Sequence, residues 1–116
     1  DTDWNMDGGD QAEVSDQGLL CSYSTKRKIT EEEIQGYLNK DYSSYHFPGD
    51  RSVIQMIINE MYALNGYKFQ DEDLKNYYEK QDWYNKIESK TTDMAEIYRN
   101  MSKTEQDNIK LLKEYK

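Results

Sequence analysis

The sequence predicts a small all-α domain, a bundle of about four helices behind a disordered acidic N-terminal tail. Three observations carry that expectation. Apolar residues recur at helical spacing, two Thr/Ser-x-x-Glu start signals open helices, and the only hint of a strand is a short run around residues 20–23.

The first helix opens at Thr30, where Glu33 completes a capping box and Ile34, Tyr37 and Leu38 share one face. It is short and contains Gly36, so it must lean on tertiary packing. A Tyr/Ser-rich loop follows, with Tyr42, Tyr45, His46 and Phe47, and Pro48-Gly49 marks a turn. The second helix, about 51–65 with Asp50 as its expected N-cap, is the expected hub. At 100° per residue, Val53, Ile54, Ile57, Ile58, Met61 and Leu64 form one broad apolar stripe. Tyr62 falls at the edge of that stripe, and Asn59, Glu60 and Ala63 fall on the other side. Asn65-Gly66 is a stop signal, because glycine supplies the left-handed conformation that closes a helix.

A third helix starts at Gln70 or Asp71, with acids in its first turn and Leu74, Tyr77 and Tyr78 on one face. Trp83-Tyr84 comes just beyond its end, and residues 85–93 read as loop. The last helix opens at Ser102 with Glu105, and carries Ile109, Leu112 and Tyr115 at helical spacing. Residues 93–100 allow a separate short helix without requiring one. Phe69, Trp83 and Tyr84 are expected to pack on or near the second helix.

The chain is polar, with 35% hydrophobic residues and a mean hydropathy of -1.15, but the polarity is unevenly spread. Residues 1–18 hold six acids (Asp1, Asp3, Asp7, Asp10, Glu13, Asp16) and no Lys or Arg. The 23 acids less these six leave 17 against 15 bases in the rest. Residues 1–21 therefore read as a disordered linker, too polar to offset its ordering entropy, with Trp4 and Met6 the pair able to dock elsewhere. Eleven tyrosines argue that residues 22–116 fold, since disordered chains are poor in aromatics.

A nearly neutral body argues against nucleic acid, which needs a clustered basic face; the one cluster is Lys26-Arg27-Lys28. Cys21 is the sole cysteine, so no intrachain disulfide and no Cys-based zinc site is expected. No apolar run approaches the length of a transmembrane helix. The chain begins at Asp1 rather than Met, and the expectation is that an upstream targeting or anchoring segment has been removed.

The spacing from Asn59 to Tyr84, taken with the closing helix, resembles the YARHG domain family. Asn59, Glu60, Met61, Tyr62, Ala63, Gly66 and Phe69 stand in register with the family signature, and Leu74, Tyr77, Tyr78, Trp83 and Tyr84 with its later motif. The resemblance covers about residues 22–116. It implies a bacterial, extracellular or envelope-associated domain with no established biochemical function. Where the family carries arginine this chain has Ile58, and Leu64-Asn65 replace its arginine-histidine pair. The resemblance therefore implies the fold, but no anion-binding or acid-base role through those positions.

No nucleophile elbow, phosphate loop, zinc motif or dinucleotide fingerprint is present. Glu60 is the best catalytic candidate, though a weak one, because no second carboxylate stands at a recognisable distance. Its simpler reading is an exposed or helix-pairing carboxylate. Asn59 is expected to bond a neighbouring loop's backbone and set a helix crossing. The candidate ligand contacts are Asn59, Tyr62, Tyr77, Trp83 and Tyr84, since Tyr and Trp pair an apolar face with a polar tip. No metal or cofactor is expected; His46 is a loop residue, and the acid runs lack the order of a calcium loop. The function expected is a non-enzymatic envelope or secreted accessory module that binds a wall component or a partner protein. The alternatives are a hydrolase or transferase using Glu60 and Tyr62, or a structural spacer.

Overall fold

The computed structural model describes residues 19–42 and 47–116. Its helices are α1 (Glu31–Asn39), α2 (Val53–Leu64), α3 (Glu72–Glu79), α4 (Asp82–Asn85), α5 (Met94–Asn100) and α6 (Lys103–Lys113), with a 3₁₀ turn at Pro48–Asp50. No strand occurs among the described residues; Tyr67 and Thr91 form a single parallel bridge. The domain is all-α, as its periodicity predicts. Trp4, Met6, Tyr45 and His46 lie outside the described residues.

Local chemistry accounts for the helix ends. Both capping boxes form: Thr30 and Ser102 accept the backbone N–H of Glu33 and Glu105, whose carboxylates accept the cap N–H in return. Asp71 caps α3 and Asp93 caps α5, which makes residues 94–100 a separate short helix. At α2 the cap is Ser52, not Asp50: Ser52 Oγ accepts from Gln55 N at 3.1 Å. Asp50 instead ends the 3₁₀ turn with φ 56°, so the helix begins two residues later than the turn signal suggested.

The far end of α2 closes as a Schellman motif. Gly66 N–H donates to Ala63 O and Tyr67 N–H to Tyr62 O, each at 3.0 Å. Gly66 sits at φ 90°, and a Cβ there would lie 2.8 Å from the Ser89 carbonyl oxygen. The loop passing so close is held by Lys68 N–H to Thr91 O and Thr91 N–H to Gly66 O. Glycine is needed here twice over, for its dihedral angle and for the neighbouring backbone.

Helix α2 is buried on two sides. Ile54, Ile57, Ile58 and Met61 join Ile34, Ile97, Ile109 and Leu112 in an aliphatic core between α1, α5 and α6. Met56 and Ala63, on another side, join Phe69, Leu74, Tyr78 and Tyr84 in an aromatic core. Phe69 stacks on Tyr78 at 4.7 Å between centroids and 10° between planes. Phe69, Trp83 and Tyr84 all pack as expected near the hub helix. The side holding Asn59, Glu60 and Ala63 is no solvent face, because all three are buried.

Candidate functional site

Residues 20–29 have almost no regular structure, and three side chains from elsewhere hold them in place. Asn108 on α6 accepts from Ile29 N–H and donates to the carbonyls of Ser24 and Arg27, each at 2.9 Å. Glu60 on α2 accepts the backbone N–H of Leu20 at 2.8 Å and of Cys21 at 3.1 Å. Tyr37 on α1 donates its hydroxyl to Leu20 O at 2.9 Å. Buried backbone must be paired, and here side chains provide what a ladder would in a sheet. Leu20 and Cys21 are thus tied to the helices, and Cys21 is buried.

Glu60 is only 3% exposed, so neither an exposed nor a surface helix-pairing carboxylate describes it. Desolvation by burial pushes its carboxyl up to about 7, against the opposing pull of the two N–H donors. Both carboxylate oxygens are thereby engaged. Tyr62, two positions on, lies about 200° around the helix and packs edge-on against Tyr67, so the pair diverges.

Asn59 does not tie down a loop. Its Oδ1 accepts from Gln55 Nε2 at 3.2 Å and its Nδ2 approaches Met56 Sδ, both within α2. Asn108 performs the role expected of Asn59. A second buried carboxylate, Glu105, accepts from Asn65 Nδ2 at 2.8 Å as well as from Ser102 N–H, which fixes the end of α2 to the start of α6.

Alongside the pinned segment runs a groove of about 570 Å³, lined by Leu20, Tyr37, Lys40, Tyr42, Tyr77 and Gln81 among others. That volume lies within the range of roughly 300–1,000 Å³ typical of small-ligand sites. A shallower depression beyond Tyr37, Lys40 and Tyr42 reaches Tyr23, and another beyond Tyr77 reaches Asn76 and Lys80. Lys40 Nζ lies 5.4 Å from the centre of the Tyr42 ring. Burial raises the Tyr37 and Tyr77 hydroxyls above the ordinary tyrosine value, so both stay protonated at neutral pH.

Of the five ligand contacts expected from sequence, Tyr77 lines the groove. Tyr84 is buried, with its hydroxyl donated to Tyr67 O at 2.6 Å. Trp83 packs edge-on against Tyr78 and Tyr84. Tyr62 and Asn59 are spent on packing and on α2 itself. Nothing in the sequence marks Tyr37 and Lys40 as contacts, because Leu20, Tyr77 and Gln81, which share the lining with them, lie 17 or more residues away. Asn108 and Glu105 did leave a signal: both are polar residues on the apolar face that carries Ile109 and Leu112.

Among the described residues no group of three or more His, Cys, Asp or Glu side chains could hold a metal ion. No helix among them is long and apolar enough to cross a membrane.

Fold and groove together define a small helical domain with an open, tyrosine-lined groove. Its sequence matches the YARHG domain over residues 26–116, and the chain belongs to that family. No curated protein and no solved structure matches it.

Proposed function

We propose that this chain is a non-catalytic binding module of the cell envelope or secreted space, and that its contact surface is the tyrosine-lined groove. The groove carries the reading: Tyr37, Tyr42 and Tyr77 edge an open cleft in a domain whose Phe69, Tyr78 and Tyr84 are committed to a core. Half-buried tyrosines flanked by Lys40 and Gln81 offer flat apolar surface beside hydrogen-bonding groups, the combination that recognition sites favour. The partner is a wall component or another envelope protein.

A hydrolase or transferase built on Glu60 and Tyr62 finds less support. The two side chains diverge, and Glu60 is closed off by the backbone of Leu20 and Cys21. The spacer reading would leave the open cleft without a purpose.

The test is retention of the full chain on purified cell wall and on immobilised envelope proteins, beside a Tyr77→Ala variant. Retention of the parent, and its loss in a variant that keeps its helical circular-dichroism spectrum, is the expected result. Failure of the parent to be retained on either support would overturn the reading.

A further inference from the structure

The groove's lining is specific enough to name a ligand class, an inference that rests on the binding reading above. We infer that the groove takes a short stretch of polysaccharide bearing carboxylate groups.

Three features of the lining point there. Tyr37, Tyr42 and Tyr77 line the cleft, and tyrosine is a residue type suited to the flat C–H faces of pyranose rings. Gln81 donates one of its two Nε2 hydrogens to the Tyr77 carbonyl at 3.3 Å, which leaves its amide a second hydrogen and the carbonyl oxygen. That oxygen accepts hydrogen bonds, and a sugar hydroxyl is the natural donor. Lys40 is the one charged side chain lining the groove among the described residues, and it is positive in a chain of net charge -8. A positive charge there favours an anionic group.

Peptide modes fit less well. An added β-strand needs a sheet edge, and none exists among the described residues. A docked amphipathic helix needs an apolar trough, whereas Leu19 and Leu20 share this lining with Lys40, Gln81 and three tyrosines that carry polar tips. A proline-rich strand would meet the rings, but its prolines have no N–H to give to Gln81.

The proposal is tested by titrating the isotopically labelled full chain, followed by amide NMR, with an oligo-uronate, a neutral hexose oligomer of equal length and a proline-rich peptide. Shifts confined to Leu20, Tyr37, Lys40, Tyr42, Tyr77 and Gln81 with the oligo-uronate, and weaker ones with the neutral oligomer, are expected. Lys40→Gln, an exposed substitution with little bearing on folding, should reduce uronate affinity about fivefold and leave the neutral oligomer unchanged. Groove shifts with the proline-rich peptide alone would overturn the saccharide assignment while leaving the binding module standing. Silence from all three probes, with wall retention still lost in Tyr77→Ala, would also overturn only the ligand class. Silence together with retention unaffected by Tyr77→Ala would overturn both.

Discussion

The two sides of α2 are built from different materials. One is aliphatic: Ile54, Ile57, Ile58 and Met61 meet Ile97, Ile109 and Leu112 from regular helices. The other is aromatic: Met56 and Ala63 meet Phe69, Tyr78 and Tyr84, carried by a loop and the short helices α3 and α4. Branched aliphatic side chains fill space between packed helices without a preferred ring geometry. The aromatic side uses ring geometry and single hydrogen bonds, such as Tyr84 to Tyr67 O, to fix elements too short to hold themselves. The proposed groove borders that second side through Tyr77 and Gln81 of the α3 region, and meets α1 through Tyr37 and Lys40.

Gly66→Val should break the comparison most severely, because the loop crossing Gly66 locks the aromatic side to the end of α2. Left-handed strain and the clash with Ser89 O together should cost about 4 kcal/mol in denaturant unfolding. Glu60→Ala should cost less, since relief of a desolvated charge offsets part of the lost hydrogen bonding. A larger loss at Glu60 would reverse the assigned roles.

Truncations on the two sides come next. Ile57→Ala and Phe69→Ala should each cost about 3–4 kcal/mol. They should differ in native-state hydrogen exchange. The first should weaken protection in α1, α2 and α6 together, the second chiefly in α3 and α4. Identical exchange patterns would mean that the two cores act as one.

Glu60 gives the comparison a pH dependence. Its carboxyl rises on folding from 4.5 to about 7, so between those values the folded chain binds more protons than the unfolded. The contribution of Glu60 should therefore be greatest below about pH 4.5 and fall as pH climbs to 7, by at most about 3 kcal/mol. Glu33 does not blur that window. Arg27 and the cap N–H hold it down at about 2, so its contribution is lost only in stronger acid. Urea midpoints from pH 4.5 to 7.5 should slope downward in the parent and flatten in Glu60→Gln.

Tyr84→Phe is the mildest change, removing one hydroxyl bond to Tyr67 O for about 1 kcal/mol. A much larger loss in thermal unfolding would show that this bond positions the whole aromatic side.

The aliphatic side was legible because it is periodic. Ile54, Ile57, Ile58 and Met61 announce themselves on a wheel, and Thr30, Ser102 and Gly66 mark their helix ends by chemistry local to a few residues. Glu60 was misread because its burial comes from Leu20 and Cys21, some 40 residues upstream, and nothing within α2 foretells them. Asn108 takes the role expected of Asn59 for the same reason: which amide meets a loop depends on where the chain returns. Among the aromatics, composition shows only that the chain is rich in tyrosine. Only the tertiary arrangement shows that Tyr77 edges a groove while Tyr84 is sealed.

The central claim is that the open groove, and not the buried carboxylate, does this domain's work. Tyr77→Ala and Glu60→Gln, compared side by side for retention on purified wall and envelope proteins at a temperature where both remain folded, test it most directly. Tyr77→Ala should lose retention and Glu60→Gln should keep it. Retention kept by Tyr77→Ala and lost by folded Glu60→Gln would contradict that claim.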